Sequence, residues 1–175
     1  MTNKALNISN FQTFYVSKEV SNCPLVADIF KFIKKSKDIT ISSISLRYGK
    51  RVLINTKNTD FKEIEKEDFI EIVDYDPFKN VLLVMGPGEP VIDTPLHWFI
   101  HHAREDVNAV LIINKDSTEN IDKKLPVINK NGGIWPIEKI KEILGLLRNS
   151  KTIVIKNKGL LLVGKNIDEI EKNLS

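Results

Sequence analysis

Apolar residues along the chain change period several times, and each change marks an element. Val26, Ile29, Phe30 and Ile33 fall on one helical face, so a helix opened by Pro24 should run to about Lys37. Apolar or alternating runs at 41–47, 51–55, 69–74 and 81–85 then read as four strands. Gly49-Lys50 is a hairpin signal between the first two, Pro77 to Asn80 turns the third into the fourth, and Gly86 to Pro90 stops the fourth. Thr94-Pro95 looks like an N-cap and first-turn proline, and Leu96, Phe99, Ile100 and Ala103 carry a helix through Arg104. The run 109–113 has no polar member and suits a strand covered on both faces. A short extended piece at 125–127, a helix through Ile137, Ile140, Leu144 and Leu147, and strands at 152–155 and 160–163 follow. Asn166 caps a last helix, 167–174. Residues 1–20 are weakly patterned and are expected to form an arm or an extra helix, leaving 21–175 as one domain. Strands first and helix–strand alternation afterwards predict an α/β domain with a mixed sheet flanked by helices.

Composition narrows the classes of function. At 175 residues, 42% hydrophobic and 28% charged, the chain has one domain's worth of core. The net charge of +3 is spread among alternating Lys, Asp and Glu, and the densest basic stretch, 31–37, reads as the wet face of a helix, so no nucleic-acid partner is expected. Cys23 is the only cysteine and reads as a buried, inert thiol; no intrachain disulfide or thiolate cluster can form. No apolar run approaches the roughly 20 residues of a membrane span and 1–10 are polar, so the expected location is the cytoplasm, with no membrane partner.

Candidate chemistry is sparse. His97, His101 and His102 share one predicted helix, the first two at the i, i+4 spacing of helical zinc pairs, without the glutamate that a zincin helix carries. Asp93 precedes that helix, where an ionised carboxylate is favoured by the helix dipole or serves proton transfer. The turn at Gly86 to Pro90 matches no dinucleotide or phosphate-loop fingerprint. Trp98 and Trp135 read as core or interface aromatics.

Several segments together resemble a known family. Asp74-Tyr-Asp-Pro, then Val84-Met-Gly-Pro-Gly-Glu-Pro-Val-Ile-Asp-Thr-Pro-Leu-His97 and Ala103-Arg-Glu-Asp-Val-Asn-Ala-Val110, are similar to the middle of class II aldolase/adducin domains. Upstream, 40–47 and 51–58 resemble the family's serine-rich loop and following phosphate loop, and 146–164 resembles its closing strand pair. The resemblance covers Pro24 to the C-terminus and implies a three-layer α/β/α domain around a mixed, mainly antiparallel sheet.

In that family, zinc is held by a His-x-His at the end of the buried strand and by a histidine near the C-terminus. The corresponding positions here are Ile112, Asn114 and Lys158. Isoleucine cannot donate to a metal, an amide is a poor zinc ligand, and a lysine is an ammonium at neutral pH that repels the ion. The family's catalytic carboxylate aligns with Asp93, and its phosphate-binding residues with Ser42, Ser43, Thr56, Lys57 and Asn58. These readings imply a relative that has lost its zinc site and needs no cofactor: a pseudoenzyme for binding or assembly, with a residual pocket for a small anionic metabolite. Two alternatives stay open, an aldolase- or epimerase-type enzyme that is metal-free through Lys158 and Asp93, or one that is zinc-dependent through other ligands such as the three histidines. Lys158 should pair with Asp93 or Asp116. By family analogy the chain should form a homo-oligomer, a tetramer.

Overall fold

The computed structural model describes residues 11–115, 122, 124–130, 132 and 135–174. Nine strands form one sheet in the order β1-β5-β4-β3-β2-β6-β9-β8-β7. They are β1 Gln12–Ser17, β2 Thr40–Tyr48, β3 Arg51–Asn55, β4 Phe69–Asp76, β5 Val81–Met85, β6 Ala109–Asn114, β7 Val127–Ile128, β8 Thr152–Ile155 and β9 Gly159–Gly164. The outer pairs β1/β5 and β7/β8 are parallel and the inner ones antiparallel, which gives the mixed, mainly antiparallel sheet that the resemblance implies.

Four helices, α1 Val26–Lys35, α2 Thr94–Ala103, α3 Ile137–Leu146 and α4 Ile167–Leu174, flank it. β6 shows why the layers form. Its alternate residues Ala109, Leu111 and Ile113 pack with Ile29 and Phe32 of α1 and Ile170 of α4. Val110 and Ile112, on the opposite face, pack with Leu96 and Ile100 of α2 and Ile140 and Ile143 of α3. A strand buried on both sides needs an uninterrupted apolar run, and this one has it from Ala109 to Ile113.

Two expectations change. Residues 12–17, expected in an arm or extra helix, are the edge strand β1, held by parallel pairing to β5. Residues 1–10 lie outside the described residues. Thr94 is the first residue of α2 and not its cap: its hydroxyl donates back to the Val91 carbonyl at 2.6 Å, and Asp93 occupies the cap position without a side-chain bond to the helix amides. The hairpin at Gly49-Lys50 is as expected, Gly49 supplying φ 59°.

Candidate active site

Asp93 is fully buried at the amino end of α2, and its carboxylate is turned away from the helix toward four side chains. Oδ2 accepts from Ser43 at 2.9 Å and from Ser42 at 3.4 Å. Oδ1 accepts from Trp135 Nε1 at 2.7 Å and from Lys158 Nζ at 3.5 Å. Two consecutive serines reach one carboxylate because the β2/β6 register shifts between Ile41 and Ser43, a bulge that brings Ser42 round to its neighbour's side. Burial alone would raise the carboxyl pKa, but the Lys158 charge, the Trp135 bond and the nearby His97 and Lys130 outweigh it and hold it below the usual value.

Lys158 stands in the β8–β9 turn, one quarter exposed at its side chain, and the Asp93 pairing expected for it is present. Asp116, the other expected partner, lies outside the described residues. The Lys158 amine also lies 5.7 Å from the Trp135 ring centroid. Lys130 reaches the same ring, its Nζ 4.1 Å from the centroid. Burial first, then the Lys158 charge, pushes the Lys130 amine down to about 8, with Asp93 opposing. The cluster thus joins one ionised carboxylate, two amines and an indole. Gly159, next to Lys158, is required by packing: a Cβ there would fall 1.8 Å from the Ile113 carbonyl oxygen of β6.

Behind Asp93 runs a buried polar chain. Ser43 Oγ lies 2.8 Å from His97 Nε2, His97 Nδ1 lies 2.6 Å from Ser45 Oγ, and Ser45 Oγ lies 2.8 Å from His101 Nε2. His101 Nδ1 then faces the Val107 carbonyl at 3.3 Å. The match is geometric: residues two apart on a strand are separated by about 6.7 Å, residues four apart on a helix by about 6 Å. Ser43 and Ser45 therefore face His97 and His101 as two rungs. Arg47, further along β2, donates to the carbonyls of His101, Arg104 and Val107 and fixes the far end of α2.

Both imidazoles are held neutral. Burial is the main cause for each, lowering His97 to about 4 against the raising effect of Asp93, and His101 to about 3 with His97 and Arg47 adding to it. The Val107 carbonyl can only accept, so neutral His101 carries its hydrogen on Nδ1 and takes one from Ser45 on Nε2. Ser45 then accepts from His97 Nδ1, which leaves His97 Nε2 bare toward Ser43. Ser43 has one hydrogen and two acceptors, His97 Nε2 and ionised Asp93. The chain from Asp93 to Val107 is one hydrogen short of full satisfaction, and the shortage falls on Ser43.

The family's zinc does not fit these residues. Ile112 is fully buried in the apolar layer under α2 and α3, Asn114 ends β6 opposite Gly159, and the Lys158 ammonium pairs with Asp93. The histidines do not replace them. Both ring nitrogens of His97 and His101 are engaged as above, and His102 bonds the Trp98 carbonyl and stacks on its indole. Among the described residues no three His, Cys, Asp or Glu side chains converge.

The other expected site residues are spread around Asp93. Thr56 is buried, bridged to Pro90 and bonded to Thr59. Lys57 is exposed and faces Glu89 at 3.9 Å, and Asn58 follows with φ 64°. Asn55, absent from the sequence-based set, ties the strands together by accepting from the Ile44 amide at 2.8 Å. Lys130, Trp135 and Ser45 are also additions. Trp135 was expected only as a core or interface aromatic, and its indole nitrogen is what reaches Asp93.

Residues 34–113 match the family described as the Class II Aldolase and Adducin N-terminal domain. Solved structures share the fold. An aldolase II superfamily protein from Pseudomonas syringae superposes with a TM-score of 0.63 at 17% identity, over 83% of this chain and 66% of that one. L-fuculose-1-phosphate aldolase from Thermus thermophilus gives 0.61 at 14%, over 81% and 80%. The N-terminal class II aldolase domain of a conserved Thermoplasma acidophilum protein gives 0.57 at 13%, over 91% and 96%. No curated protein sequence is significantly similar to the chain. The matched segment runs from the end of α1 to β6 and so contains Asp93 and the serine–histidine chain, and the shared fold continues through β9: residues 34–113 are similar to the class II aldolase and adducin family, and the chain has the fold of its solved members.

Proposed function

We propose that this chain is a class II aldolase-fold protein that works without the family's zinc site and binds a small anionic metabolite beside Lys158 and Lys130. In this reading it is a pseudoenzyme with respect to zinc-dependent aldol cleavage, kept for binding or assembly in the cytoplasm as a homo-oligomer. The observation that carries it is the Lys158–Asp93 pair at 3.5 Å; the family resemblance aligns Lys158 with the third zinc ligand. Lys158 and Lys130 both reach the Trp135 ring beside Asp93, and these two amines are the proposed contacts for the anion's charge. Ser42, Thr56, Lys57 and Asn58 are the proposed phosphate contacts around it. The Ser43 hydroxyl is committed to Asp93 and His97 and contributes through them. Calorimetric titration with inorganic phosphate and small sugar phosphates at low ionic strength tests this. Lys158→Ala should weaken binding by about tenfold, roughly 1.4 kcal/mol. Unchanged binding in that variant, or no binding of any anion, contradicts the proposal.

A further inference from the structure

We infer that the free edge of β1 is a self-association surface, pairing antiparallel with β1 of a second copy of this chain across a two-fold axis at Phe14. This deepens the homo-oligomer reading above, on which it rests, and is independent of the anion site.

β1 closes one end of the sheet: β5 pairs with it on one side, and among the described residues no strand pairs with it on the other. The Gln12 amide donates to the Asn80 carbonyl at 2.9 Å, so Gln12 and Phe14 turn their main-chain groups to β5 while Thr13 and Tyr15 present theirs outward. Sheet edges are ordinarily blunted by charged side chains or by proline. Gln12–Ser17 contains neither, and only the bulge at Val16 limits the edge. Apolar side chains gather there as well. Phe14 is 49% exposed and Val16 57%, and the fully exposed Phe78 stands in the β4–β5 turn whose Asn80 holds Gln12.

A second copy is the partner for which this short edge is complete. Thr13 and Tyr15 flank Phe14 symmetrically, so under a two-fold rotation Thr13 meets the partner's Tyr15 and the two exchange both main-chain hydrogen bonds. Phe14 then falls on the axis as a non-hydrogen-bonded pair, the two Cα atoms about 4.5 Å apart and both rings on one face. Having no charge, the strand opposes no like charges when it meets itself. A longer peptide would lose register at Val16, where the strand bulges. One short strand buries less than the about 800 Å² per partner of a standard interface, even with Val16 and Phe78 extending it, so the dimer should exchange with monomer as concentration changes.

Two measurements on the full chain test this. Phe14→Cys under mild oxidation should give a disulfide-linked dimer bridged at position 14 by peptide mapping, since a Cα separation of about 4.5 Å lies within disulfide reach. The native Cys23 is buried and should not compete. Gln12→Cys should give no such dimer, because the two copies of position 12 lie about 14 Å apart along antiparallel strands. In sedimentation equilibrium the wild-type chain should pass from monomer to dimer as concentration rises. Phe14→Lys, which opposes two like charges on the axis, should weaken that association on the order of tenfold and leave thermal unfolding unchanged at this exposed position. No cross-link at position 14, equal cross-linking at 12 and 14, or a wild-type chain that is monomeric throughout overturns the inference. So does an oligomer that Phe14→Lys leaves intact, which keeps the homo-oligomer reading on another surface.

Discussion

Lowering the pH from 7.5 to 5 should strongly destabilise this protein, and two residues should account for most of the effect. His97 and His101 are buried and neutral, displaced from an ordinary value near 6.5 to about 4 and about 3. For a histidine lowered on folding, the sign is fixed: the unfolded chain binds protons below pH 6.5 that the folded chain refuses, so stability is lost as pH falls through 6.5 and keeps falling toward the folded value. At pH 5 each group contributes a loss of about 2 kcal/mol, about 4 kcal/mol together, a large part of the ordinary 5–15 kcal/mol of a domain. Asp93 is lowered as well, so its contribution is lost only below its unfolded value of about 3.9, outside this window. Urea titrations followed by circular dichroism at pH 7.5 and 5 read the effect directly. With a slope of about 2 kcal/mol/M the midpoint should drop by about 2 M. A loss near 2 kcal/mol would mean that one imidazole keeps its proton in the fold and fills the missing hydrogen at Ser43, and a loss below 1 kcal/mol would mean that both do. Either result refutes the neutral assignment.

Trp135→Phe keeps the aromatic platform and removes the indole donor to Asp93; it should cost about 1–3 kcal/mol in urea unfolding. Gly159→Ala should be more damaging than an ordinary surface change, above about 3 kcal/mol by thermal unfolding, since its Cβ has no room against the Ile113 carbonyl. Nitrogen-15 NMR at pH 8 should find both His97 and His101 carrying hydrogen on Nδ1, the tautomer set by the Val107 carbonyl, and an Nε2–H signal from either would break the hydrogen assignment of the chain.

Most of the sheet could be read from the sequence because turn residues bound its strands. The limits at 51–55, 81–85 and 152–155 coincide with β3, β5 and β8, the first set by Gly49-Lys50 and the second by the Gly86 turn. β1 escaped because its side chains do not alternate in character with burial: Phe14 and Val16 are exposed, and its hydrogen bonds come from β5, far along the chain. The cap of α2 was misread for a local reason, since Thr94 bonds back to Val91 and leaves Asp93 free to turn into the site. The serine–histidine chain did leave a signal, Ser43-x-Ser45 against His97-x3-His101 on two otherwise apolar faces, the strand period meeting the helix period. Lys130 and Trp135 left none, because the segment that carries them has no periodic pattern and only tertiary contact brings both to Asp93.

Under the proposed function, the Lys158 ammonium and the buried Asp93 carboxylate take the place of the family's zinc. Elemental analysis of untagged protein, saturated with zinc and then desalted, tests it most directly. Zinc far below one atom per chain is the predicted result. One zinc per chain, retained through desalting, would contradict it.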